Sequence, residues 1–336
     1  MDSQINFWHE RRVLITGAGG LVGAWLCKYL YQQGAFVVGM IHHPNPQSEL
    51  YRSGVAGRIT IAQGALEDMA FLEETLSKYA IDTVFHLGAQ AIVSVANANP
   101  LQTFESNIRG TYLLLEACRR QKVARIIVAS SDKAYGTQPN LPYVEDMPLQ
   151  GVYPYEVSKS CTDLIAQSYA VTYDLPLAIG RCGNIYGGGD LNWNRIIPET
   201  IRNSYQNTPL TIRSDGTFQR DYVYVKDVVL AYVLLAENLH RPEVRGGAFN
   251  FGPHKPLTVL EVVNEVLRLM DCTHLKPIIA NTAKGEIRDQ YLDSTKAQNL
   301  LDWHPRYALS DGLTETIAWY RAYFASSFAV REGDLF

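Results

Sequence analysis

Val13-Leu14-Ile15-Thr16-Gly17-Ala18-Gly19-Gly20-Leu21-Val22-Gly23 is the stretch on which the fold of this chain turns. Apolar, strand-forming residues run straight into glycines at 17, 20 and 23, and then into a helical pattern. One glycine allows a tight turn. Another lets the backbone approach a pyrophosphate. The third lets helix and strand pack closely, while the helix N-terminus faces the anion. A glycine pattern alone is weak, but between the first strand and first helix of an alternating chain it is strong. The competing reading is an ordinary structural turn.

The rest of the chain supplies that alternation. Continuous apolar runs at 12–16, 35–41, 58–62, 83–87, 124–130 and 177–182 read as strands buried on both faces. Amphipathic stretches near 21–33, 68–79, 101–121 and 155–173 read as helices between them. The expected class is therefore α/β, a doubly wound parallel sheet of the Rossmann type, with a smaller C-terminal substrate-binding lobe. Residues 1–182, with part of 220–252 returning, are expected to form the dinucleotide-binding domain. Residues 183–219 and 253–330 are expected to form the lobe, and beyond Gly183 helices are expected near 195–205, 225–238, 258–269 and 310–324. Residues 327–336 read as a frayed tail.

One expected part is missing. Such folds usually place an acid about 20 residues beyond the glycines, to grip the ribose 2′-hydroxyl. Here the second strand ends in Met40-Ile41-His42-His43-Pro44, and no acid appears until Glu49. NAD is favoured as cofactor, with NADP left open because the histidines could accept a 2′-phosphate.

Composition narrows the function. The 336 residues are 47% hydrophobic and 19% charged, as in ordinary globular enzymes. A net charge of −4 gives no basic field for nucleic acid. No run approaches about 18 uninterrupted apolar residues, so no membrane span is expected. The opening residues carry acids and lack a signal-like apolar run. The five cysteines are odd in number and contain no Cys-x-x-Cys, which reads as reduced core thiols in the cytoplasm. No His-Glu-x-x-His occurs, and no metal is expected.

Two Tyr-x-x-x-Lys pairs occur, Tyr155…Lys159 and Tyr222…Lys226. Tyr155 opens a predicted helix, where four residues rise only about 6 Å and both side chains share a face. Tyr222 lies in an alternating, strand-like stretch, where four residues span about 13 Å. Only the first pair can act as a unit. A phenol base working near neutrality needs its pKa of about 10 lowered by about 3, or roughly 4 kcal/mol. A lysine ammonium one turn away and a positive nicotinamide ring could supply that.

Ser131-Asp132-Lys133 follows the fifth strand, at the carboxyl edge where open α/β sheets bind ligands. Asp132 could protonate a leaving hydroxyl. Lys133 could remove a carbon-bound proton if its amine were neutral, which requires burial or cationic neighbours. Ser131 could hydrogen-bond the hydroxyl being oxidised. The bland alternative is a polar surface turn.

Together these residues resemble the extended short-chain dehydrogenase/reductase family over nearly the whole chain, and within it the nucleotide-sugar 4,6-dehydratases, nearest the CDP-glucose 4,6-dehydratase-like enzymes. The resemblance is carried by Phe7-Trp8, Trp25-Leu26, the Ser131-Asp132-Lys133 triplet, the segment from Arg181 to Asp190, and Asn194-Arg195-Ile196-Ile197-Pro198. It implies that Tyr155 takes a proton as the sugar is oxidised at carbon 4, aided by Ser131, while Lys159 holds the cofactor ribose. Lys133 then deprotonates carbon 5, Asp132 protonates the departing 6-hydroxyl, and hydride returns to carbon 6. It implies cofactor contacts at Gly17, Gly20, Leu21, Val22, Gly23, His42, Leu66, Leu87 and Ala89, besides Tyr155 and Lys159. Substrate contacts fall at Gln90, Asn184, Arg195, Arg220 and Arg288, toward a nucleotide-diphosphate hexose.

The resemblance also implies a homodimer through helices near 101–121 and 155–173, although the stripe Leu164, Ile165, Ser168 and Tyr169 could equally be core. Two departures stand out. Ala65 replaces an aspartate that relatives set against the adenine, with Asp68 nearby. Gly136–Pro142 replaces an aromatic-rich stretch of the CDP-glucose enzymes. The alternatives are a nucleotide-sugar 4-epimerase, which has no need of Lys133, and a non-catalytic cofactor-sensing module.

Overall fold

Apolar runs that serve both faces of a sheet belong in the middle of three layers, and that is where they lie. The computed structural model describes residues 6–283 and 286–333. Seven strands form one sheet: β1 (Arg12–Thr16), β2 (Phe36–Ile41), β3 (Thr60–Gln63), β4 (Thr83–His86), β5 (Arg125–Ala129), β6 (Leu177–Cys182) and β7 (Ala248–Phe251). Their order is β7-β6-β5-β4-β1-β2-β3, and every neighbouring pair is parallel. The chain leaves β1 toward β2 and later returns to the other side of β1 with β4. That reversal opens a crevice at the strands' carboxyl ends.

Period-two alternation divides the strand side chains between two cores. Val13 and Ile15 face Leu26 and Leu30 of the helix Leu21–Gln32 and Val228 and Leu235 of the helix Val225–Asn238. Leu14 faces the opposite layer with Leu72, Leu114, Leu115 and Ala166. Trp8, expected only as a family mark, is buried in the first core and donates to Glu237 Oε1 at 2.6 Å.

The stretch expected as one helix at 101–121 is interrupted. Pro100–Phe104 passes through a π-helical turn, Glu105–Arg109, into Gly110–Arg120. The wider turn accommodates the buried Asn107, whose side chain accepts from Gln90 N at 2.7 Å and donates to Ser158 Oγ at 2.9 Å.

After β6 the chain builds a second cluster from the helices Ile196–Tyr205, Val259–Leu269 and Leu309–Gly333, packed around Ile201, Tyr224, Val262, Leu313 and Ile317. The last helix continues through Gly333, because no proline or glycine interrupts it between Gly312 and Gly333. Residues 334–336 lie outside the described residues. Among the described residues no helix is long and apolar enough to cross a membrane.

Candidate active site

The glycine turn meets the backbone as closely as its composition suggests. Gly17 has φ +70°, and a Cβ there would lie 2.8 Å from Gly88 N. A Cβ on Gly23 would lie 2.2 Å from Gly17 O. The helix Leu21–Gln32 starts with no side-chain cap and no acid in its first turn, so its N–H groups remain for an anion. Thr16 Oγ1 accepts from Leu87 N at 3.1 Å and Gly88 N at 2.9 Å, which draws the turn leading to Ala89 beside the glycines. Leu66 packs where a Cβ on Gly88 or Gly110 would stand. These features fit a dinucleotide. Gly23→Ala should therefore weaken NAD binding at least tenfold, about 1.4 kcal/mol, in a calorimetric titration. Undiminished affinity would contradict this reading of the turn.

The missing acid is not replaced from nearby. His42 is exposed at the end of β2, its ring 4.0 Å from that of His43. Glu49 is buried and committed elsewhere, accepting from Trp319 Nε1 at 2.6 Å and facing Lys28 at 3.6 Å. Asp68 caps the helix Met69–Lys78 by accepting from Phe71 N at 3.1 Å.

The helix Pro154–Tyr173 begins at a defined point, with Pro154 in its first turn and Glu156 accepting from Tyr153 N and Val152 N. Tyr155 and Lys159 thus fall one turn apart over the ends of β5 and β6. Lys159 is buried and donates to Ala129 O at 2.9 Å; burial pushes its pKa down to about 8, against the pull of Asp163. The Tyr155 phenol is not lowered in the free protein. Burial pushes it up to about 12, with Arg195 as the largest opposing influence and Lys159 not among its perturbers. The Lys159 ammonium is directed at a backbone carbonyl.

Tyr222…Lys226 does not form a unit. Tyr222–Tyr224 is a strand, a new helix starts at Val225, and Lys226 Nζ pairs with Glu315 at 2.5 Å.

Ser131-Asp132-Lys133 turns into a short 3-10 helix, Asp132–Tyr135. Ser131 Oγ donates to Asp132 Oδ1 at 2.9 Å and accepts from Lys133 N at 3.2 Å. Asp132 is 2% exposed, and its Oδ2 has no partner among the described residues. Burial pushes the Asp132 carboxyl up, with Lys133 opposing. Burial pushes the Lys133 amine down, with Asp132 opposing and Arg220 assisting. Both shifts run toward the neutral forms, the direction that suits a carboxyl as proton donor and an amine as proton acceptor.

Ser131, Asp132, Lys133 and Tyr155 all line one cavity of about 550 Å³, within the range of small-ligand sites. Asn184, Arg195 and Arg220 line it too. Arg195 pairs with Asp190 at 3.0 Å. Arg220 is buried, and its guanidinium donates to the carbonyls of Gln219, Ile287 and Arg288 through Nη1 and Nη2.

Two expected substrate contacts are not brought into the cavity. Gln90 folds onto its own loop, donating to Ile92 O at 3.1 Å and accepting from Ile92 N at 2.5 Å. Arg288 is exposed and pairs with Asp215 at 3.2 Å, with Thr217 Oγ1 at 2.9 Å. A local acceptor claims each side chain first.

Other groups near the site escaped the sequence reading. Asp221 is fully buried, accepts from Leu292 N at 2.7 Å, and is pushed up to about 7 by burial and then by Asp132. Its place in Arg220-Asp221-Tyr222 was a usable signal. Gln290, which accepts from Lys133 Nζ, sits in no motif. Arg213 and Phe218 also line the cavity.

Comparison with known proteins now adds a family. The pattern of the NAD dependent epimerase/dehydratase family matches residues 13–252. The chain belongs to that family. NAD is its cofactor, and its similarities divide between two activities. It is 28% identical over 333 residues to a CDP-glucose 4,6-dehydratase of Salmonella typhimurium, covering 95% of this chain and 92% of that protein. It is 29% identical over 317 residues to a UDP-glucose 4-epimerase of Mycolicibacterium smegmatis, covering 92% and 98%. The fold matches a dTDP-glucose 4,6-dehydratase from Streptomyces venezuelae solved with NAD bound, with a TM-score of 0.83 and 26% identity, covering 93% of this chain and 97% of that one.

Proposed function

We propose that this family member is a nucleotide-sugar 4,6-dehydratase, nearest the CDP-glucose type, making a 4-keto-6-deoxyhexose. The observation that carries the reading is the buried Asp132–Lys133 pair, an acid pushed up beside an amine pushed down, lining the same cavity as Tyr155. An enzyme that only oxidises and reduces carbon 4 has no use for it.

Bound NAD would accept hydride from carbon 4 and return it to carbon 6. Gly17, Gly20, Leu21, Val22, Gly23, His42, Leu66, Leu87 and Ala89 would hold it. Tyr155 takes the carbon 4 hydroxyl proton, Ser131 steadies that hydroxyl, and Lys159 holds the ribose. The resulting ketone acidifies carbon 5, whose proton passes to the Lys133 amine. Asp132 gives its proton to the 6-hydroxyl, which departs as water. Asn184, Arg195 and Arg220 position the nucleotide diphosphate in the C-terminal lobe, where guanidinium groups match phosphate oxygens.

A homodimer is part of the proposal. Leu164 and Val171 are 53% and 86% exposed on the helix Pro154–Tyr173, and Leu101 nearby in sequence is 71% exposed. Ile165 and Tyr169 of the same stripe pack on the core instead. The free thiols suit a cytoplasmic enzyme.

The second reading is a 4-epimerase, favoured by the epimerases among the relatives. Incubation with CDP-, UDP- and dTDP-glucose and UDP-N-acetylglucosamine, followed by mass spectrometry, separates the two. Loss of one water from at least one substrate is expected. A product of unchanged mass with carbon 4 inverted would overturn the dehydratase reading.

A further inference from the structure

The Lys133 amine is held from the other lobe. Its Nζ donates to Oε1 of Gln290, a residue 157 positions away in sequence. Gln290 is fully buried, and its backbone is fixed on several sides. Gln290 N donates to Gln219 O at 3.0 Å, and the residue bridges to Arg220 in parallel. The Arg220 guanidinium clasps the carbonyls of Ile287 and Arg288 just before it. Asp289 accepts from Gln219 N at 3.0 Å, and Asp221 accepts from Leu292 N just after it. The amide therefore has little room to turn.

Its other end is informative. Gln290 Nε2 is buried with no partner among the described residues. A buried amide donor left unpaired is costly and rare, so the oxygen is the end of this amide that has a partner. The chemistry of a neutral amine gives that oxygen a use. Such an amine carries two N–H bonds and one lone pair. A fixed acceptor takes an N–H and leaves the lone pair free, whereas a fixed donor would occupy the lone pair and silence the base. A carboxylate would also accept, but it would hold the amine as ammonium. A neutral carbonyl oxygen avoids both faults, and it removes rotational freedom from a side chain with four rotatable bonds.

We infer that Gln290 is the positioning residue for the water-loss step, gripping one N–H of Lys133 so that the amine's lone pair points into the cavity toward carbon 5 of the sugar. The inference rests on the dehydratase reading. The step balances without further reagents. The lone pair takes the carbon 5 proton, and the C–H electrons become the carbon 5–carbon 6 double bond. The carbon 6–oxygen bond breaks, and the oxygen leaves as water with the proton of Asp132.

The test uses the full-length protein with bound NAD and whichever of CDP-, UDP- or dTDP-glucose the native protein turns over. Gln290→Leu is expected to slow water loss at least about tenfold, short of the roughly 10²–10⁴-fold that loss of the base itself would cost. The rate of reduced-nicotinamide formation in a single turnover should stay within about twofold of native, which also reports that the variant is folded. Gln290→Glu should move the rising limb of the pH–rate profile to higher pH, because the new carboxylate stabilises the Lys133 ammonium. A purely structural role would lower both half-reactions together and leave the limb in place, and that outcome overturns the inference. Native rates of water loss in Gln290→Leu overturn it equally. A native protein that inverts carbon 4 without losing water overturns the dehydratase reading, and this inference with it.

Discussion

Lys133→Met should halt the reaction part-way, with the sugar oxidised and the reduced nicotinamide persisting on the protein. Methionine keeps most of the side-chain volume and removes the only amine in the Ser131–Lys133 turn. Tyr155 and Lys159 stand on a different element, the helix Pro154–Tyr173, Lys159 is anchored to Ala129 O, and Ser131 contacts Lys133 only through its backbone N, so the first half-reaction should persist. Asp132 would lose the neighbour that opposes its raised pKa, so its carboxyl would be pushed up further, an acid without its base. Loss of a positioned general base typically slows a step by about 10²–10⁴-fold. Stopped-flow absorbance should show reduced cofactor rising at the native rate and decaying that much more slowly. A variant that keeps most of its turnover would place the protein among the epimerases.

Asp163→Asn should produce the largest loss of stability. Arg181 and Asp163 are 2% and 0% exposed, and they meet in a two-point ion pair at 2.8 and 2.9 Å. The same guanidinium donates to Tyr135 OH at 2.8 Å and Glu145 O at 2.9 Å, and Tyr135 OH donates to Asn250 Oδ1 at 2.7 Å. Asparagine can accept through one oxygen only, and its NH₂ would face the guanidinium. Breaking a buried pair by altering one partner typically costs about 3–5 kcal/mol. The urea midpoint should fall accordingly, while a compensating Arg181→Met in the same chain should recover part of the loss. Because Tyr135 ends the turn that begins with Asp132, water loss should also slow more than oxidation. An unchanged midpoint would show that the pair carries little of the fold.

Side chains and backbone were unequally legible in the sequence. Leu177–Cys182 and the glycine turn could be read because a strand buried on both faces, or a backbone pressed against another backbone, admits few residue types. Tyr155…Lys159 could be separated from Tyr222…Lys226 by periodicity alone, since it depends only on local helix geometry. Gln90 and Arg288 could not be placed, because each sits on an irregular segment where the nearest acceptor decides its direction. Gln290 was invisible for the same reason: its contact with Lys133 crosses from one lobe to the other. The Tyr-x-x-x-Lys spacing says nothing of burial, which raises the Tyr155 phenol and is a property of the fold.

The central claim is that Asp132 and Lys133 carry water out of the sugar between two hydride transfers. Substrate deuterated at carbon 4 tests it most directly. The account predicts a product lighter by one water, with the deuterium now on carbon 6. Deuterium still on carbon 4 of an inverted sugar of unchanged mass would contradict it.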